Sequence, residues 1–269
     1  MPTFLFWNIG GKSISQLIGA AALAVDADCV VLCECSIEPG KVLEGLNQRA
    51  PDYQYAFGEC EHLRFFTKFD SRFLEPTFEN ARISIRRLTL PARKDILIAA
   101  AHLPSRLFHS AESLAQECVI LGGYIQTEEE IVGHKRTILM GDLNVNPFES
   151  GVVGTSGLHA VLSRSVAARG SRIVQDREHH FFYNPMWSHF GDREDCPPGT
   201  YYYDRAEAVN YYWHVYDQVL LRPDLLEGFS GESLRVLTTA GETNLLDLAG
   251  RPDKANASDH LPIVFDLTF

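Results

Sequence analysis

Polar residues stand where the apolar runs of this chain stop. Asn8 closes the run that begins at Phe4, Glu34 follows the run 29–33, and His102 ends the run 96–101. Asp142 and Asn144 follow residues 137–140 in Gly141-Asp142-Leu143-Asn144. Asp217 lies inside Val215-Tyr216-Asp217-Gln218-Val219-Leu220, and Ser258-Asp259-His260 precedes the last run, 261–267. Carboxylates are rarely buried without a partner. Several of them at strand ends repel one another unless a cation sits among them. The chemistry to look for is therefore a cation held at the ends of buried strands, with histidines beside it.

The elements that must position these groups follow from periodicity. Residues 4–9, Cys29–Cys33, 53–57, 63–68, 82–90, 96–102 and 137–140 read as strands, and strands resume at 215–221, 234–238 and 261–267. Ile14, Leu17, Ile18, Ala21, Ala22 and Val25 recur on one face of a helix, with Ser13 as its expected N-cap. A short helix is expected after Pro39-Gly40, a longer one over 110–129 with Leu114, Cys118, Leu121 and Ile125 on one face, and another over 157–168. Ile83 and Ile85 alternate with Ser84 and Arg86, as in an antiparallel strand with one wet face. Residues 181–213 hold eleven aromatics with several prolines, which predicts a packed, irregular connection rather than a linker. Strands outnumber helices, so the expected architecture is α+β, two packed sheets with helices outside. The chain, 1–269, is expected to form one domain.

The ordered series Asn8, Glu34, His102, Gly141-Asp142-Leu143-Asn144, Tyr216-Asp217-Gln218-Val219 and Ser258-Asp259-His260 resembles the endonuclease/exonuclease/phosphatase superfamily, the deoxyribonuclease I-like metal-dependent phosphoesterases. The resemblance spans nearly the whole chain. It implies a four-layer αββα sandwich and Mg²⁺-dependent hydrolysis of phosphoesters, with Mn²⁺ a plausible substitute. A phosphodiester is shielded by its own negative charge, which a hard cation with oxygen ligands neutralises.

On this resemblance Glu34 is the first metal ligand, Asp259 the second, and Asn8 joins the metal directly or through water. Asp142 holds or activates the attacking water, and Asn144 helps position water and phosphate. An extended backbone would point both to one side. His260 contacts the phosphate opposite the metal, and Asp217 fixes its tautomer and favours its charged form. Either Asp142 or the Asp217–His260 pair can be the general base. His102 resembles a second catalytic histidine, with Glu61 as its candidate orienting carboxylate, and Arg106 can grip a phosphate oxygen. His102-Leu103-Pro104-Ser105 departs from the commoner Thr-His-Leu pattern, which leaves the branch of the superfamily open. Within the aromatic segment Asn184, Trp187 and Tyr201 are candidate substrate contacts, since such rings can stack on nucleobases.

Composition narrows the substrate. With 24 basic and 35 acidic residues the chain carries a net charge of −11. Binding by broad phosphate neutralisation is thereby disfavoured. The preferred reading is a nuclease or phosphodiesterase acting on nucleic acid or nucleotides. The alternatives are a small-molecule or lipid-headgroup phosphatase of the same fold and a non-catalytic binding scaffold. No apolar run is long enough to span a bilayer and the N-terminus lacks a leader pattern, so no membrane partner is expected. No obligate protein partner is evident either. Six cysteines without paired spacing are expected to be buried free thiols of a cytoplasmic protein. The run Glu128-Glu129-Glu130 is expected to be a solvated helix end, and His179, His180, His189 and His214 to be surface or packing residues.

Overall fold

The computed structural model describes residues 1–192, 194, 196–206 and 208–269. In chain order its strands begin with β1 (Thr3–Asn8), β2 (Cys29–Cys33), β3 (Gln54–Ala56), β4 (Leu63–Thr67), β5 (Leu74–Glu79), β6 (Ile83–Leu88), β7 (Ile96–His102) and β8 (Thr137–Asp142). They continue with β9 (Ala160–Val161), β10 (Ser171–Val174), β11 (Arg177–His180), β12 (Phe182–Tyr183), β13 (Tyr201–Tyr202), β14 (Trp213–His214) and β15 (Asp217–Leu221). The last are β16 (Arg235–Val236), β17 (Thr239–Ala240), β18 (Thr243–Asn244) and β19 (Ile263–Asp266). One sheet has the order β16-β19-β1-β2-β4-β3, and the other β5-β6-β7-β8-β15-β12-β9.

Side-chain alternation builds the layers. Along β7, Ile96, Ile98 and Ala100 point into a core shared with Phe4, Val31 and Phe65 of the first sheet. Helices α1 (Ser15–Ala24), α2 (Pro39–Leu46) and α3 (Ala111–Val132) flank the sheets, and the intervening Leu97, Ala99 and Ala101 face the other way, onto Leu114, Cys118, Leu121 and Ile125 of α3. Ile18, Ala21 and Ala22 of α1 and Val42 of α2 cover the first sheet. The result is helix, sheet, sheet, helix. Each Leu or Ile so buried contributes about 1.5–3 kcal/mol, and β7, buried along its whole length, lies at the centre.

Register places the chemistry. In the second sheet His102 is paired with Asp142, and Asp142 with Asp217. In the first, Asn8 is paired with Cys33, the residue before Glu34. Three adjacent strands of one sheet and two of the other thus bring polar groups to one end of the sandwich. Gly141 permits this pairing, because a Cβ there would lie 2.1 Å from the carbonyl oxygen of Ala101.

Several expectations are corrected. Ser13 does not cap α1: the N-cap position is Ile14, without a side-chain hydrogen bond. The expected helix over 157–168 is replaced by β9 and the single turn α5 (Arg164–Ala167), and another single turn, α4 (Ser150–Val153), precedes it. The backbone of Gly157 packs directly on Gly151, which turns the chain, and β9 then pairs with β12 at the sheet edge. Strand β5 is additional to the sequence reading. Pro76 cannot donate to a ladder and sits beside a register shift on this edge strand.

Three charged residues expected in water are buried. Ser84 and Arg86 of β6 lie between the sheets, where the Arg86 guanidinium is 2.8 Å from Glu79 and 4.4 Å from the Phe65 ring centroid. At the end of α3, Glu128 and Glu129 are buried. Glu129 accepts from Arg222 Nε at 2.8 Å, Arg222 Nη2 at 3.0 Å and Thr137 Oγ1 at 2.7 Å. The Arg222 guanidinium also lies 3.9 Å from the Phe182 ring centroid. Periodicity cannot distinguish a wet face from one covered by distant chain. Glu129→Ala strands this arginine and is expected to cost about 3–5 kcal/mol of stability, read by urea denaturation. A loss below about 1 kcal/mol would contradict that role for the pair.

Candidate active site

Two residues at the site take left-handed backbone conformations, Glu34 at φ 50° and Asn144 at φ 52°. Such values are uncommon for residues other than glycine and concentrate at functional sites. Glu34 is held there by its own N–H, which donates to the His62 carbonyl, and by its carbonyl, which accepts from Gly11 N–H. This swings its side chain off the end of β2. After Asp142 the chain also turns instead of continuing extended. Asp142 Oδ1 accepts from Asn144 N–H at 3.0 Å, and Asn144 Nδ2 donates to the Leu103 carbonyl at 3.0 Å. The Asp142 and Asn144 side chains line one cavity through a turn, not through strand alternation.

The two carboxylates of Glu34 and Asp142 meet across Asn8, whose Nδ2 donates to Glu34 Oε1 at 3.1 Å and to Asp142 Oδ2 at 2.9 Å. Asn8 Oδ1 accepts from Gly10 N–H. His102 Nε2 lies 3.2 Å from Glu34 Oε1 and 3.8 Å from Asp142 Oδ2. The hydrogen bond with His102 is the main reason the Glu34 carboxyl is held down to about 2, against a smaller opposing effect of burial. His260 Nε2 is also 3.8 Å from Asp142 Oδ2, while its Nδ1 is 2.8 Å from the fully buried Asp217 carboxylate. Burial alone would discharge His260. Asp217 and then Asp142 outweigh it and raise its pKa to about 10, so the imidazolium is the resident form at neutral pH. The loop that carries it is tied to β1, because Trp7 Nε1 donates to the His260 carbonyl and Ser258 Oγ to the Asn8 carbonyl.

These groups open into a cavity of about 610 Å³. Gly10, Arg106, Tyr201, His214 and Asp259 line it as well. Glu34, His102 and Asp142 present donor atoms within 4.8 Å of one another, as do Asp142, Asp217 and His260. Two carboxylates separated by an amide suit a hard divalent cation, which takes one or two carboxylates plus waters. Among the described residues Asp259 joins neither group, although it lines the cavity.

The remaining expected contacts divide. Tyr201 lies on the wall, its ring centroid 4.7 Å from that of His260. Arg106 lies on the wall too, held by Glu149 at 2.5 Å. Asn184 does not: it is fully buried and donates to Gln218 Oε1 at 2.7 Å, while its Oδ1 accepts from Met186 N–H. Trp187 packs near Phe148, also away from the cavity lining. Glu61 is exposed, and the ring nitrogen it was expected to orient instead faces His62, at 3.3 Å between the Nδ1 atoms.

Sequence reasoning passed over His62, Asn146 and Glu149, and took His214 for a surface or packing residue; it is buried and lines the cavity. Asn146 Nδ2 donates to Glu149 Oε1 at 3.2 Å and lies 3.0 Å from His214 Nδ1. The only available signal was the proximity of Asn146 and Glu149 to the Gly141-Asp142-Leu143-Asn144 segment.

Neither protein-family models nor curated proteins give a match to this chain. Solved structures do. A 3′ phosphatase, NExo from Neisseria, bound to a product DNA hairpin, superposes with a TM-score of 0.59 at 11% identity, covering 100% of both chains. An endonuclease/exonuclease/phosphatase family protein from Leptotrichia buccalis gives 0.57 at 12% identity, again over 100% of both. TDP2 from D. rerio, complexed with single-strand DNA product, gives 0.54 at 16% identity over 100% of this chain and 99% of that one. The chain therefore has the endonuclease/exonuclease/phosphatase fold, the four-layer α+β sandwich. No helix among the described residues is long and apolar enough to cross a membrane.

Proposed function

We propose that this protein is a metal-dependent phosphoester hydrolase, acting on nucleic acid or nucleotides as a nuclease or phosphodiesterase. The observation that carries the reading is the convergence of Glu34, Asp142, His102 and the Asp217–His260 pair on one cavity. The similar structures, a 3′ phosphatase with DNA product and TDP2 with single-strand DNA product, support the substrate class.

Glu34 and Asp142 would hold Mg²⁺, with Asn8 between them and Asp259 at the margin. The cation's contribution is to neutralise phosphate charge and polarise the phosphorus–oxygen bond. The other steps belong to side chains. Asp142, fixed through Oδ1 by the Asn144 N–H, turns Oδ2 toward the histidines and orients the attacking water, accepting its proton. Against the effect of burial, the Asp217 carboxylate favours the charged form of His260. His260 donates from Nε2 to a phosphate oxygen and stabilises the charge that grows there. Asp217 holds its tautomer and its charge. His102 stabilises or protonates the leaving oxygen, and Arg106, steadied by Glu149, binds a phosphate oxygen. Water adds to phosphorus as the ester oxygen leaves with a proton.

The chain is read as one domain. Its cysteines, five of them buried, are all free, which supports a reducing, cytoplasmic setting. The test is a panel of bis-p-nitrophenyl phosphate, plasmid, single-stranded DNA and RNA with Mg²⁺, Mn²⁺ or EDTA. Hydrolysis that needs the cation and stops with EDTA is expected. Absence of turnover on every phosphoester would overturn the reading and favour a scaffold.

A further inference from the structure

The wall of the cavity beyond the reacting groups is aromatic. His214 stacks on Tyr216 with centroids 4.6 Å apart, Tyr216 on Tyr201 at 5.4 Å, and Tyr201 leans on His260. Tyr211 abuts this ladder edge-on at His214, 6.1 Å away, and also meets Phe148 at 5.4 Å. Three apolar or aromatic residues of the lining are nonetheless half or more exposed: Tyr211 at 50%, Leu107 at 53% and Val209 at 71%. They come from two segments, one after β7 and one before β14. Contiguous exposed apolar surface on a pocket rim marks a place where a ligand is expected to cover it.

Charge says what kind of ligand. Among the described residues lining the cavity, the permanent cations are Arg106 and Arg205, and Arg106 already answers Glu149. Glu34, Asp142 and Asp259 oppose them. A protein that tracks a duplex neutralises a run of phosphates, and this wall has no such row. It can serve the reacting phosphate and little more. A volume of about 610 Å³ is that of a small-molecule pocket. Polar groups stand beside the exposed rings, with Asn210, Ser105 and His109 in the same lining. An aliphatic chain has no use for them, whereas the polar edge of a planar heterocycle does.

We propose that the cavity reads one nucleotide unit, its phosphate at the Glu34–His260 end and its single nucleobase against Tyr211, flanked by Leu107 and Val209. This deepens the phosphoester-hydrolase reading and rests on it. The unit can be a free nucleotide or the unpaired end of a strand; an internal phosphate of a duplex is excluded, because its base stays in the stack. Base stacking on an aromatic side chain is worth enough to change affinity about tenfold or more.

Binding by calorimetry in Mg²⁺, on an Asp142→Asn background that silences hydrolysis, tests this independently of turnover. The ligands are AMP, ribose 5-phosphate, a single-stranded hexanucleotide and a blunt 12-base-pair duplex. AMP is expected to bind at least about tenfold tighter than ribose 5-phosphate, the hexanucleotide within about threefold of AMP, and the duplex at least about tenfold weaker. In Tyr211→Ala, and to a lesser degree in Leu107→Ala, the ratio of AMP to ribose 5-phosphate affinity falls toward one. Both sites are exposed, so folding is retained, which circular dichroism checks. Equal affinity for AMP and ribose 5-phosphate, a duplex that binds as well as AMP, or a hexanucleotide that binds far tighter than AMP would each overturn the proposal. Weak AMP binding alongside hydrolysis of bis-p-nitrophenyl phosphate would sink this inference alone. Absence of hydrolysis would sink the hydrolase reading instead.

Discussion

His260→Gln is expected to lower kcat on a phosphodiester by about 10²–10⁴-fold, and Asp217→Asn to approach the same loss without touching the substrate. The pair acts as a unit. Asp217 is fully buried and lies 2.8 Å from His260 Nδ1, so the double variant should be little worse than either single one. Asparagine keeps the shape of the aspartate and an oxygen to accept from Nδ1, so the variant remains folded. The two carboxylates near His260 also determine the pH dependence. The protonated imidazole is the working form, and burial is outweighed by Asp217 and Asp142 to give a pKa of about 10. Activity due to this group is thus present below that value and lost as pH rises through it. In Asp217→Asn the alkaline limb should move down by at least about one unit, toward the ordinary histidine value near ~6.5. A pH–rate profile that Asp217→Asn leaves unmoved would refute the role given to the aspartate.

Glu34→Gln should abolish metal-dependent turnover, with a loss of about 10³-fold or more, and leave the metal-free protein folded but somewhat less stable than the parent. The reason is electrostatic. His102 and Asn8 hold the Glu34 carboxyl down to about 2, so its charge is favoured in the folded state. Glutamine loses that contribution while keeping the shape of the side chain. A cation that binds the folded state raises its stability by mass action, so the parent should melt higher in Mg²⁺ or Mn²⁺ than in EDTA. The glutamine variant should lose most of that difference. A variant that keeps both the thermal shift and the activity would remove Glu34 from the metal site.

The chemistry at the strand ends was legible because its residues are rare in such places. Asn8, Glu34, His102, Asp142 and Asp217 each end or interrupt an apolar run, and sheet register then brings those ends together. The inner face of α3 was legible for a similar reason, since Leu114, Cys118, Leu121 and Ile125 repeat at helical spacing and all are buried. What stayed hidden depends on distant chain. Arg86 and Glu129 look solvated in any local window, and only the facing first sheet and Arg222 bury them. The left-handed turns at Glu34 and Asn144 leave no compositional mark, because neither residue is a glycine. Asn184 and Trp187 belong to the aromatic segment but face away from the cavity, and composition cannot say which side of a loop faces a cavity. Tyr201 does face it, through its bridge to His260, and Tyr211, on the same wall, carries the proposed base contact.

The most direct measurement is anomalous diffraction from crystals grown with Mn²⁺. A peak is expected in the cavity, within about 2.0–2.4 Å of a carboxylate oxygen of Glu34 and beside Asp142 and His260. Crystals that hold Mn²⁺ elsewhere on the surface, with none at Glu34, would contradict it.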